Sequence, residues 1–151
     1  MSRPLFSSRL ARAAIAAWLL APLAACGLLK DQRGEIERIE EARVIRAGVA
    51  GDLSDLERER GWLGEIAAQS GAGVELVEGE THELVDRLRK GEIDVLIALP
   101  ADTPFKPDIG SSRPYENQRL SPQKRIWAVR PGANAWLYRI DATLIRHGEN
   151  G

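Results

Sequence analysis

The run Ile93-Asp94-Val95-Leu96-Ile97-Ala98-Leu99 constrains the fold more than any other part of the chain. It is apolar on both of the faces that a two-residue repeat would present. A strand of that kind is stable only when both sides of its sheet are covered. Lys90-Gly91 just before it has the chemistry of a helix end, and Pro100 after it stops the ladder. The chain must therefore supply helices for two faces of a sheet in which this strand is central.

The flanking sequence supplies them. Arg43 to Ala50 is β-prone and ends at Gly51, so it serves as a first strand. Ser54-Asp55-Leu56-Glu57 has the spacing of a capping box and predicts a helix start there, with Leu56, Trp62, Leu63, Ile66 and Ala67 on one face. Gly71 and Gly73 stop that helix, and Val74 to Val77 alternates as a second strand. Thr81 is a candidate cap for a second helix with the stripe Leu84, Val85 and Leu88. Strand, helix, strand, helix, strand at this spacing predicts right-handed crossovers and a parallel sheet, an α/β fold. From Pro100 to Pro122 the chain carries loop chemistry. Lys124 to Arg130 reads as a further strand ended by Pro131-Gly132. A last helix follows, with Asn134 as cap and Leu137, Ile140 and Leu144 as its stripe. Trp62, Trp127 and Trp136 are expected in the core or at its rim.

The N-terminus has a different character. Arg3, Arg9 and Arg12 precede the uncharged run Ala13 to Ala25, 13 residues long, whereas a membrane-crossing helix needs about 20. Basic residues followed by a short apolar run have the shape of a signal peptide. Leu23-Ala24-Ala25-Cys26-Gly27 resembles the lipobox of bacterial lipoproteins. That resemblance implies cleavage before Cys26, acylation of its thiol and attachment to the extracytoplasmic side of a bacterial membrane. Cys26 is the only cysteine, so no disulfide forms within the chain. Without residues 1–25 the chain has 126 residues, 18 basic and 22 acidic, a net charge of −4. Interleaved charges of that balance give no basic face for nucleic acid. The expected organisation is a signal peptide over 1–25, a lipidated N-terminus and spacer over 26–42, one domain over 43–147 and a tail over 148–151. Within the spacer, Gly27 to Glu40 reads as a solvated segment or a short helix.

Three segments carry a family likeness: Gly91-Glu92-Ile93-Asp94-Val95-Leu96-Ile97, then Thr103-Pro104, then Ser112-Arg113-Pro114-Tyr115. Together they resemble type II periplasmic solute-binding proteins, in which a "GxIDVIIA" strand leads to a "TPxR" helix start and an "FSxPYY" segment. Trp127 to Gly132 and the helix after it resemble the return of those chains to their first lobe. The likeness spans about Arg43 to Arg146. It implies a three-layer sandwich, a mainly parallel sheet of order 2-1-3 with an antiparallel C-terminal strand added. Complete members hold their ligand between two lobes, the second inserted after "PYY". Here Glu116 to Lys124 gives only nine residues for that insertion, and a domain of ~100 residues cannot fit there. The likeness is to a single lobe.

By the same resemblance, Asp102, Thr103, Lys106, Arg113 and Tyr115 are the candidate ligand-binding residues. Two departures bear on them. Lys106 stands where the family's carboxylate-binding arginine falls, keeping the charge without the planar fork, and Ala101 stands at the earlier threonine. The loop Gly51-Asp52-Leu53-Ser54 also lacks the aromatic residue that commonly stacks on the ligand. Each candidate has a plainer reading beside the binding one: Thr103 and Lys106 as turn or helix-start residues, Asp102 as turn chemistry, Arg113 and Tyr115 as loop packing. Glu78, Glu80 and Glu83 suit the positive end of a helix dipole. His82 and His147 have no Cys or His companion at metal spacing, and no GxSxG, HExxH or phosphate loop is present. No enzyme activity, cofactor or metal is expected. The expected function is recognition of a small polar solute, an amino acid or organic acid, for transport or sensing. A pocket buries most of its ligand, so one lobe is expected to need an opposing face, a second lobe-like protein or a permease. The alternative is a lipoprotein whose lobe docks a protein without transport.

Overall fold

A computed structural model describes residues 33–50, 56–116 and 123–148. The signal-peptide segment, Cys26, and Ser54-Asp55 of the expected capping box lie outside the described residues. The elements run α1 (Glu35–Ala42), β1 (Val44–Val49), α2 (Glu57–Gln69), β2 (Gly73–Glu78), α3 (Thr81–Lys90), β3 (Val95–Pro100), a short 3-10 turn (Lys106–Asp108), β4 (Gly110–Ser111), β5 (Tyr115–Glu116), β6 (Lys124–Val129) and α4 (Asn134–Gly148). The sheet order is β2-β1-β3-β6-β4, with β5 also paired to β6. β1 is parallel to β2 and β3, and β6 is antiparallel to β3. This is the expected α/β lobe, order 2-1-3 with antiparallel strands added.

β3 is central, and its covered faces account for the layers. On one side α1, α2 and α4 pack Ile39, Leu63, Ile66, Trp136 and Ile140 against Ile45, Val95, Ile97 and Trp127. On the other, α3 packs Leu84, Val85 and Leu88 against Leu96, Leu99, Ile126 and Ala128. Burying one such side chain contributes about 1.5–3 kcal/mol, so the alternation of β3 between two clusters anchors both layers. The layer over β1 is tight: a Cβ on Gly48 would sit 2.7 Å from Ile93 Cδ1, 3.1 Å from Leu96 Cδ1 and 3.3 Å from Leu84 Cδ2 of α3.

The helix ends divide into two kinds. The C-termini follow the glycine signals: Gly91 has φ 77, its N–H donates to Leu88 O, and Glu92 N–H donates to Arg87 O. The N-termini differ from the sequence expectation. α2 starts at Glu57 with Leu56 at the cap, α3 starts at Thr81 with Glu80 at the cap, and neither cap makes a side-chain hydrogen bond. For α4 the carbonyl of Ala133 accepts from Leu137 N–H at 2.9 Å, which makes Asn134 the first helical residue. Leu56 and Ala133 are each 1 % exposed.

α1 belongs to the packed lobe. Its Ile39 is buried, and its Glu35, 2 % exposed, pairs with Arg38 and with Arg130 at the end of β6. Arg38 reaches Asp94, which also accepts from Arg46 N–H at 2.6 Å and from the Arg46 guanidinium at 3.2 Å. The segment read as solvated spacer or short helix is thus a helix from Glu35 that is pinned to the amino ends of β1 and β3. A buried carboxylate needs such partners.

The packing at Gly48 gives a direct test. Gly48→Ala is expected to lower stability by about 1–3 kcal/mol, the usual cost of overpacking, measured by chemical denaturation. A loss below a few tenths would mean that the ends of the Ile93 and Leu96 side chains turn aside at little cost.

Candidate functional site

In open α/β sheets, ligands are received where the strands end at their carboxyl side. At that pole of this lobe lie the ends of β1, β2 and β3, the starts of α2 and α3, and the start of β6. β3 arrives there with a bulge. Leu96 pairs with Ala128 but Leu99 pairs with Ile126, so one extra residue is accommodated, and Ala98 takes φ 61. A left-handed alanine costs about 1–2 kcal/mol, and bulges of this kind re-aim the chain at a strand end.

Beyond the bulge the chain folds into successive turns. Ala101 N–H donates to Lys124 O at 2.9 Å, Thr103 N–H to Pro100 O at 3.1 Å, and Lys106 N–H to Thr103 O at 3.4 Å. Thr103 is 8 % exposed, and its Oγ1 accepts from Phe105 N–H at 3.4 Å. Lys106 Nζ donates to Ala101 O at 3.2 Å. Asp102 is exposed on the same turn. Three of the five candidates, Asp102, Thr103 and Lys106, are therefore brought together. Thr103 and Lys106 spend polar atoms on holding the turn.

Arg113 and Tyr115 lie across β6 from that turn, on the strand's other edge. Arg113 is exposed, and its backbone N–H donates to Asp141 Oδ1 of α4 at 2.9 Å. Tyr115 points into the three-helix layer. Its hydroxyl donates to Glu59 Oε1 at 3.2 Å and accepts from Trp127 Nε1–H at 3.0 Å, and its ring meets Trp62 edge-on at 5.3 Å. Arg125 donates to the same Glu59 oxygen at 3.2 Å. The Glu59 side chain is 1 % exposed, yet its second oxygen, Oε2, has no hydrogen-bond partner among the described residues. Trp62 carries the guanidinium of Arg58 over its ring at 5.1 Å and stacks on His147, which meets Glu65 Oε2 at 2.6 Å.

Glu59 and Arg125 were not among the residues singled out from the sequence. Of that first turn, the sequence reading takes only Glu57, as part of the capping box. Helical spacing was the signal that could have found it: Glu59 lies three residues after Leu56 and three and four before Trp62 and Leu63, on the stripe that is buried, whereas Glu57 lies off it.

No family model matches the chain, and no curated protein matches it. Solved structures do. The arginine-bound form of domain 1 from TmArgBP aligns with a TM-score of 0.61 at 21 % identity, covering 72 % of this chain and 97 % of that one. An ancestral cationic amino acid solute binding protein gives 0.61 at 11 %, covering 77 % and 94 %. Tv2483 bound to L-arginine gives 0.63 at 9 %, covering 78 % and 90 %.

Tyr115 provides a pH signature of this site. Burial, and then the negative charge of Glu59, push its hydroxyl pKa up. The folded state thus keeps a proton that the unfolded chain releases near pH 10, so stability is full below that pH and falls as pH rises past it. Melting followed from pH 8 to 11 should show a steeper decline for the native chain than for Tyr115→Phe. Equal slopes would mean that the hydroxyl is solvated. The fold is that of a single lobe of the type II periplasmic solute-binding proteins.

Proposed function

We propose that the chain is a lipid-anchored, extracytoplasmic binding lobe that recognises a small polar solute, with amino acids the first class to test, at the carboxyl pole of its sheet, for import or sensing. The observation that carries this reading is the match along nearly the whole length of an isolated first domain in arginine-bound form. That neighbour supports a lobe of this size holding a solute without a second domain in its own chain. It relaxes the expectation that an opposing face is indispensable, while leaving a permease or a second lobe-like protein as the natural receiver of the solute. Attachment to the membrane through Cys26 follows from the lipobox resemblance.

A second reading has its own support. Thr103 Oγ1, Lys106 Nζ and the Tyr115 hydroxyl are all engaged within the lobe, as in a lobe that has given up its ligand and docks a protein instead. A thermal-shift panel of amino acids and organic acids separates the two. Ligand at 100 times its dissociation constant adds about 2.7 kcal/mol and should raise the melting point by several degrees. A flat panel, together with capture of a defined envelope protein, would favour docking. For the anchor, metabolic labelling with a fatty-acid analogue is expected to mark the native chain and to miss Cys26→Ser. Equal labelling of both would remove lipidation at Cys26 from the proposal.

A further inference from the structure

The described residues include three carboxylates that are almost wholly buried, and they are not equally satisfied. Glu35 takes one guanidinium on each oxygen, Arg130 on Oε1 and Arg38 on Oε2. Asp94 takes two guanidinium groups, from Arg38 and Arg46, and a backbone N–H besides. Glu59 takes one guanidinium, from Arg125, and one hydroxyl, from Tyr115, both on Oε1, and nothing on Oε2. A buried charged oxygen left without a donor is costly, and native proteins rarely keep one without a use.

Position points to what the use is. Glu35 and Asp94 stand where β1 and β3 begin and tie α1 to the sheet. Glu59 stands at the other pole, in the first turn of α2, beside Arg125 and Tyr115 at the β5–β6 pairing. The surroundings are Trp62, 6 % exposed, and Tyr115 against it. Such walls exclude water and strengthen an ion pair at the free oxygen. The Trp62 ring already accommodates one planar cation, that of Arg58.

We infer that Glu59 is a subsite for the cationic end of a solute, a guanidinium or ammonium group whose N–H donates to Oε2 and completes the two-cation pattern seen at Glu35. This rests on the solute-binding reading above and narrows it from polar solutes to cationic ones. It also assigns discrimination to a residue separate from the Thr103–Lys106 turn. Because Glu59 is 1 % exposed, a guest reaches Oε2 only by displacing the side chains that cover it, and binding carries that cost.

The test is calorimetric titration of the detergent-solubilised full chain with L-arginine, L-lysine, L-glutamate and L-citrulline, the last matching arginine in shape without its charge. A charged hydrogen bond at Oε2 should make arginine bind at least about tenfold tighter than citrulline. In Glu59→Gln that ratio is expected to collapse to about unity. Equal binding of arginine and citrulline by the native chain would overturn the inference, as would a ratio that survives in Glu59→Gln. Binding of glutamate without arginine would overturn it too while leaving solute recognition standing. Silence of all four with the native chain would overturn it as well, and the solute-binding reading falls with it only if the wider panel of amino acids and organic acids is also flat. Should Glu59→Gln fail to fold, the arginine-to-citrulline ratio of the native chain still decides.

Discussion

Everything in this lobe is organised by a strand that has no wet face. β3 has five of its six residues buried, and it delivers alternate side chains to a three-helix layer and to a one-helix layer. Remove either layer and the strand exposes a row of leucine, isoleucine and valine. The parallel pairing with β1 and the antiparallel pairing with β6 then follow from needing neighbours on both edges. β6 fills an edge that would otherwise present unpaired backbone groups.

The two ends of β3 serve different purposes. At its start, Asp94 gathers Arg38 and Arg46, and Trp136 Nε1–H donates to the Asp94 carbonyl at 3.0 Å. Those contacts lock α1 and α4 onto the sheet, and their carboxylates are satisfied. At its end, the strand bulges at Ala98 and turns through Thr103, and at the same pole, across β6, Glu59 has one carboxylate oxygen without a partner among the described residues. Strain and incomplete pairing concentrate at functional ends of proteins, and here both fall on the pole where α/β sheets receive ligands.

Much of this was written openly in the sequence. β3 announced itself by composition, the helix stripes Leu84-Val85-Leu88 and Ile140-Leu144 by period, and the helix stops by Gly71 and Gly91. What stayed hidden were buried charges. Glu35 and Glu59 sit in charged runs that look like any solvated surface, and their partners lie far along the chain: Arg125 is 66 residues from Glu59. Helix starts lie within a residue or two of the capping residues read in the sequence: two helices begin at Thr81 and Asn134 themselves and one at Glu57. Tyr115 was recognisable as a residue to watch. Its hydroxyl bonds to Glu59 and Trp127 arise only from three-dimensional packing. Of the candidate site, sequence therefore gave the Thr103–Lys106 turn and left out the acidic group behind the aromatic wall.

The division of the lobe into a structural pole and a receiving pole is most directly tested by amide NMR during titration with L-arginine. Shifts should concentrate at Ala50, Arg58 to Trp62, Ala101 to Lys106 and Lys124 to Trp127, while Glu35 to Arg46 and Gly91 to Val95 stay still. Shifts centred on the Glu35–Asp94 end, or an unchanged spectrum at saturating arginine, would contradict it.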